Sequence, residues 1–239
     1  MNEKKIRLHV YMARCGIGSR RKCEQYIAEH RVQVNGKPVN ARGIKVSEND
    51  TILFDGKPVL PVRKKVYIAL HKPRGYLCSH KDPQERLLAK ELFEDAVKEP
   101  VFHVGRLDMN SSGLIFYTND GEFAHIVTHP SFAVEKEYIV ITSTIIDNAK
   151  LQQYNRGIII DGTHYILKQY TMINSYKVRL TLVQGKNREI RRVFTYFSIR
   201  IRRIHRVRIG CVNLGNLASG EFKFLKKKEI EWFFERTKV

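Results

Sequence analysis

The sequence is poor in cysteine, in acid and in long apolar runs. Only four cysteines occur in 239 residues (Cys15, Cys23, Cys78, Cys211). They form no CxxC pair and have no histidine at zinc-ligand spacing, so neither a zinc ribbon nor a dense disulfide framework is expected. Reduced thiols in a cytoplasmic protein are the simplest expectation. No stretch approaches the length of a membrane-spanning helix. The start, Met1-Asn2-Glu3-Lys4-Lys5, is polar with no apolar segment after it, so no secretory signal and no membrane partner are expected. The scarcity of acid is the most informative lack. Lys and Arg number 43 against 24 Asp and Glu, a formal charge of +19 with a pI near 9.9. That balance favours a polyanionic partner, nucleic acid before membrane. Also missing are a His-x-x-x-His pair, a Gly-rich phosphate loop and a Ser nucleophile elbow. No metal, nucleotide or other cofactor is therefore expected.

What is present begins with two short helical patterns. Leu8, Tyr11 and Met12 fall at helical spacing, as do Cys23, Tyr26 and Ile27. Gly16 and Gly18 break the chain between them, and Ser19 is placed to cap the second helix. Arg20, Arg21 and Lys22 then occupy a first helical turn, where the helix dipole disfavours cations. Such placement points to an arriving phosphate. Val32-Gln33-Val34 alternates into Asn35-Gly36, a hairpin signal. Gly-Lys-Pro-Val occurs at Gly36 and again at Gly56, marking turns rather than a repeat fold. Pro58, Pro61 and the charged run Arg63-Lys64-Lys65 mark a linker, with the domain break set between residues 62 and 63.

The second part opens with a strand, Val66 to Leu70, and a stiff cationic turn, Lys72-Pro73-Arg74-Gly75, suited either to phosphate or to packing. Leu87 to Phe93 has helical spacing. Asp108 follows Gly105-Arg106-Leu107 and precedes a small-residue turn and a buried strand, Leu114 to Tyr117, which ends at Asn119-Asp120-Gly121. Read alone, Asp108 caps its turn, pairs with Arg106 or carries chemistry on a loop. Glu122 to Val127 reads as a helix and Val134 to Val140 as a strand holding Tyr138. A further strand, Lys177 to Val183, leads into Gly185-Lys186-Asn187-Arg188-Glu189-Ile190-Arg191-Arg192 and a helix with Ile190, Val193, Phe194 and Phe197 on its apolar side. The run from Ile199 to Ile209 interleaves Ile and Val with Arg200, Arg202, Arg203, Arg206 and Arg208. We read it as a strand with one buried and one arginine face, the latter neutralised by RNA. The tail, to Trp232-Phe233-Phe234, reads as a turn and a short amphipathic helix.

Three blocks carry a family resemblance: Gly105-Arg106-Leu107-Asp108 with Ser112-Gly113-Leu114, Lys136-x-Tyr138, and Gly185 to Arg192. Together they resemble the RsuA-like branch of ribosomal RNA pseudouridine synthases, over nearly the whole chain. Residues 1–62, from Arg7-Leu8 through Gly18 to Arg21 and Arg31 to Gly36, resemble an S4-type (alpha-L) RNA-binding domain. The implied fold is α+β: that small module, then a catalytic domain (63–239) with a mixed, largely antiparallel sheet flanked by helices. The implied activity is isomerisation of a uridine to pseudouridine in ribosomal RNA, or in a pre-ribosomal particle, without a cofactor and by a monomer. Asp108 would be the catalytic residue, a single ionised carboxylate acting on an electrophilic carbon. Lys186 would keep it charged, and Tyr138 would stack on the base and assist proton removal. Ile190 would floor the pocket, with Arg106 as the wedge that props open the flipped nucleotide. Arg188, Arg191, Arg192, Arg20, Arg21 and Lys22 would hold RNA. Gly16 to Arg21 and the third block are closer to RluB-like large-subunit enzymes than to small-subunit ones. Two rivals are a non-catalytic RNA-binding assembly factor of the same fold and a metal-dependent nuclease built on Asp108. The second is disfavoured by the scarcity of acid near the third block.

Overall fold

A computed structural model describes residues 5–238, which divide into two compact units between Lys65 and Val66. In the first unit, β1 (Ile6–Arg7) precedes α1 (Leu8–Arg14) and α2 (Arg20–Ala28). The strands β2 (Val32–Val34), β3 (Lys37–Val39), β4 (Lys45–Val46), β5 (Ile52–Phe54) and β6 (Lys57–Pro58) follow. Ser19 caps α2 by accepting from the Lys22 amide at 3.2 Å. Leu8, Tyr11, Met12, Cys23 and Ile27 from the helices close over Val32, Val46 and Ile52 in one core. The repeated Gly-Lys-Pro-Val phrase marks two hairpin turns. Asn35-Gly36 joins β2 to β3, and Asp55-Gly56 joins β5 to β6, with positive φ at both residues of each turn. The sheet order β3-β2-β5-β6 puts Pro38 and Pro58 on edge strands, where a missing N–H breaks no ladder.

The second unit is built on β7 (Tyr67–Lys72), β8 (Phe102–Val104), β9 (Ser112–Thr118), α3 (Gly121–Thr128) and β10 (Lys136–Thr142). It continues through α4 (Asn148–Arg156), β11 (Ile158–Ile160), β12 (Thr163–Tyr165), β13 (Gln169–Asn174) and β14 (Lys177–Leu182). It ends with α5 (Glu189–Tyr196), β15 (Ile201–Ile209), β16 (Val212–Asn213), β17 (Phe222–Phe224) and α6 (Lys227–Glu235). The main sheet runs β13-β14-β10-β15-β9-β7-β17, antiparallel throughout except where β15 lies parallel to β9. This is a mixed sheet with helices on both faces, as the α+β expectation required. The uniformly apolar run of β9 is explained by those two faces. Leu114 and Phe116 enter a core with Phe123, Ile126, Val127 and Phe233 of α3 and α6. Ile115 and Tyr117 enter the other, with Leu151, Tyr154, Ile190 and Val193 of α4 and α5.

Three expectations are corrected. Leu87 to Phe93 forms only a 3-10 turn, Ala89–Leu92, closed when the Glu91 carboxylate accepts from the Leu88 amide at 3.0 Å. The tail contributes a sheet strand, β17, before its helix. The arginine run does not separate into an apolar and a cationic face. Arg203 and Ile204 break the alternation, so Ile204 and Arg206 share a face and both are buried. Arg208 is neutralised within the protein by Glu135 and Glu137, at 3.0 and 3.5 Å. Only Arg200, Arg202 and Arg203 remain exposed, with no ion pair among the described residues.

Candidate active site

Asp108 sits on the loop between β8 and β9, where the Ser111 amide donates to the Asp108 carbonyl at 3.0 Å and closes the turn. The Lys72 turn holds this loop from behind. Lys72 is wholly buried, and its ammonium donates to the carbonyls of Pro73 and Tyr76 (2.8 Å each) and Met109 (3.4 Å). Gly75 N–H donates to Met109 O at 2.9 Å. Of the two roles open to this turn, the geometry therefore assigns Lys72 to packing.

The cation on Asp108 is not Lys186. Arg191 Nε donates to Asp108 Oδ2 at 3.1 Å, while its Nη2 donates to Ser111 Oγ at 3.1 Å and Asn110 O at 3.3 Å. One guanidinium thus grips both the carboxylate and the loop beneath it. Lys186 instead donates to the His164 carbonyl and lies over the Tyr165 ring, 5.5 Å from its centroid. The reason is local. The α5 helix starts only at Glu189, and Arg188 before it takes a left-handed conformation (φ 51°) that redirects the chain. Arg191 is then the residue carried by the helix to Asp108. Nor is Asp108 buried: its side chain is 39% exposed, at the mouth of a cavity.

That cavity, about 170 Å³, collects residues from all three blocks. Arg106, Asp108, Tyr138, Lys186, Arg188, Ile190 and Arg191 line it. Arg106 and Arg188 are exposed at its rim; Tyr138 and Ile190 are buried walls. The volume falls below the roughly 300–1,000 Å³ usual for drug-sized ligands and suits one small planar ring. Arg192 does not line it; its guanidinium reaches the Tyr165 hydroxyl at 3.5 Å. Arg20, Arg21 and Lys22 lie in the first unit, exposed on the first turn of α2, where Lys22 leans on Tyr26 at 4.9 Å.

Several residues of this site escaped the sequence reading. Glu189, 4% exposed, accepts from the Lys186 amide at 3.0 Å and the Tyr154 hydroxyl at 3.1 Å, pinning the third block in its turn. Burial pushes its carboxyl above the usual range. No sequence signal marks it, since it stands at the first helical position after Arg188 and caps no amide of its own helix. Lys136 and Arg206 are buried cavity walls. Burial, then the neighbouring Arg206, hold the Lys136 ammonium down to about 8. The sequence names Lys136 in the second block and Arg206 in the arginine run, but gives neither a role, because no sequence pattern announces a buried cation. Among the described residues, no three His, Cys, Asp or Glu side chains converge as metal ligands, and no helix is long and apolar enough to cross a membrane.

A carboxylate gripped by a guanidinium thus lies at a small cavity walled by an aromatic and an aliphatic side chain. Comparison with known proteins gives the class. The family model described as RNA pseudouridylate synthase matches residues 66–196, and that of the S4 domain matches residues 6–52. An uncharacterized RNA pseudouridine synthase of Borreliella burgdorferi is 41% identical over 228 residues, covering 94% of this chain and 91% of the relative. The ribosomal large subunit pseudouridine synthase B of Bacillus subtilis is 32% identical, covering 94% of each chain. The ribosomal small subunit pseudouridine synthase A of Yersinia pestis is also 32% identical, covering 84% and 86%. A crystal structure of a pseudouridylate synthase superposes with a TM-score of 0.71 at 27% identity, covering 95% of this chain and 99% of the other. The chain belongs to the RNA pseudouridine synthases, in the RsuA-like branch that couples an S4 domain to the catalytic domain.

Proposed function

We propose that the protein converts one uridine of ribosomal RNA to pseudouridine with Asp108 as the nucleophile, preferring large-subunit RNA. One observation carries this reading: Asp108, Tyr138 and Ile190, from three distant segments, line a single base-sized cavity with Arg191 on the carboxylate. In the reaction the N1–C1′ bond breaks, C5–C1′ forms, C5 loses a proton and N1 gains one. The sum is an isomerisation that consumes nothing.

The flipped uracil enters against Tyr138, where stacking on an aromatic face is worth about 1–3 kcal/mol. Ile190 floors the slot. Asp108 is held in place by the Arg191 fork, ready to add to the sugar or the ring. Arg106, at the rim, props the vacated stack. Lys186, Arg188 and Arg192, and Arg20, Arg21 and Lys22 of the 1–62 module, contact phosphate and so set position rather than sequence. The large-subunit preference follows the motif likeness of Gly16–Arg21 and Gly185–Arg192 to RluB-like enzymes.

The test is a pseudouridine map of ribosomal RNA from cells carrying Asp108→Asn. Loss of one site, with RNA affinity retained, is expected. A map identical to wild type would overturn the proposal, and a missing small-subunit site would overturn the subunit preference alone.

A further inference from the structure

The walls of the cavity carry two cations that the steps above leave unused. Arg206 of β15 is 4% exposed and Lys136 of β10 is 9% exposed, and neither meets a carboxylate among the described residues. Arg206 Nε donates to the Leu114 carbonyl at 2.6 Å and Nη1 to the Tyr138 hydroxyl at 3.4 Å. Its Nη2 is buried with no acceptor. Lys136 has one acceptor, Val134 O at 2.9 Å. An unmade bond of this kind is costly, more so for a charged donor, and two unpaired buried cations repel. Such a pair is reasonable in a working site when the missing negative charge arrives with the ligand.

The proposed chemistry makes that charge. When N1–C1′ breaks, the electron pair stays with the base and spreads from N1 onto its ring carbonyl oxygens. Formation of C5–C1′ returns a pair to carbon, C5 releases its proton and N1 takes one up. Addition of Asp108 to the ring would load the same oxygens. We propose that Arg206, assisted by Lys136, is the receptor for the negative charge that develops on a ring carbonyl of the uracil. A backbone phosphate is the poorer candidate, because Arg206 and Lys136 are buried walls of the cavity, whereas Arg106 and Arg188 are exposed at its rim. By the Nη1 contact, Arg206 also fixes the Tyr138 hydroxyl. This inference rests on Asp108 being the reacting carboxylate.

The experiment is a cycle between Arg206 and single substrate atoms. Single-turnover rates are measured on an RNA fragment bearing uridine, 2-thiouridine or 4-thiouridine at the target position, with wild type and Arg206→Lys. Sulfur is a poor acceptor, so one of the two thio substitutions should slow wild type about tenfold or more. Arg206→Lys should be about a hundredfold slower on uridine. That same sulfur should then add less than about twofold, while RNA affinity is nearly unchanged. The proposal is overturned if neither sulfur slows wild type, or if the two losses multiply at both positions. Arg206 also ties β15 to β9, so the lysine variant can fail to fold. In that case the wild-type thio effects and the same cycle with Lys136→Met decide: no thio effect, or full multiplication, still overturns it. Asp108→Asn is run in parallel; if it turned over uridine, the nucleophile reading would fall, whereas the sulfur cycle would still report on Arg206.

Discussion

Asp108 is gripped by Arg191 rather than Lys186 because of where a helix begins, and that choice has kinetic consequences. A guanidinium can hold the carboxylate and two loop atoms at once, whereas an ammonium in its place could not span them. Arg191→Lys should lower kcat by roughly ten- to hundredfold, from the loss of hydrogen bonds to a charged partner. Lys186→Met should leave kcat within about threefold and act mainly on KM, as expected of an RNA contact in the ground state. The opposite pattern in steady-state kinetics would restore Lys186 as the partner of Asp108. Asp108, Tyr138 and Ile190 were legible in the sequence because each lies in a block with its own resemblance. The pairing was not, since Lys186 and Arg191 are both cations of one block. What separates them is the left-handed turn at Arg188 and the carboxylate of Glu189 that holds it. The burial of Lys136 and Arg206 was illegible for a related reason: Lys136 stood out only as part of its block, and arginines in a strand are read as solvated until burial is known.

At the scale of elements, the parallel contact between β9 and β15 brings the two strands closest at Gly113. A Cβ there would collide with the backbone of Arg206, and the residue is held at φ 112°, where side chains are rarely tolerated. Gly113→Ala should therefore destabilise the second unit by on the order of 2 kcal/mol or more, read as a fall in its urea midpoint. Gly36→Ala, in an open hairpin turn at φ 76°, should cost only about 1 kcal/mol. Equal effects would mean that the close approach is not what demands glycine. The strands around this contact were readable from alternation and turn chemistry. The pattern of β15 was misread because Arg203 and Ile204 break the alternation, which puts Ile204 on the even-numbered face with Arg206, where both are buried. Residues 141–176 yielded no reading. In α4 only Leu151 and Tyr154 are buried, too few for a periodic signal, and the β11–β12 hairpin is three residues a side.

Across the whole molecule, charge governs two measurable behaviours. Binding to ribosomal RNA fragments should weaken about 10³–10⁵-fold between 50 and 200 mM salt if six to ten phosphates are contacted. A flat salt response would remove the electrostatic reading of the +19 charge. Stability should show the buried lysines. Burial lowers Lys72 and Lys136 from 10.5 to about 8, so between those values the unfolded chain binds more protons than the folded one. The penalty is therefore complete below about pH 8 and is relieved as pH rises toward 10. Lys72 has three carbonyl acceptors to keep its proton, while Lys136 has one, so Lys136 should account for most of the rise. Lys136→Met should be more stable than wild type at pH 7 and show a flatter urea midpoint from pH 8 to 10. A curve parallel to wild type would count against a lowered lysine at that position.

The three-point clamp of Arg191 has one more implication. It ties the carboxylate to the Asn110 carbonyl and the Ser111 hydroxyl, so a change in that loop reaches Asp108 through the guanidinium. Ser111→Ala should therefore disturb the same kinetic step as Arg191→Lys, only more weakly.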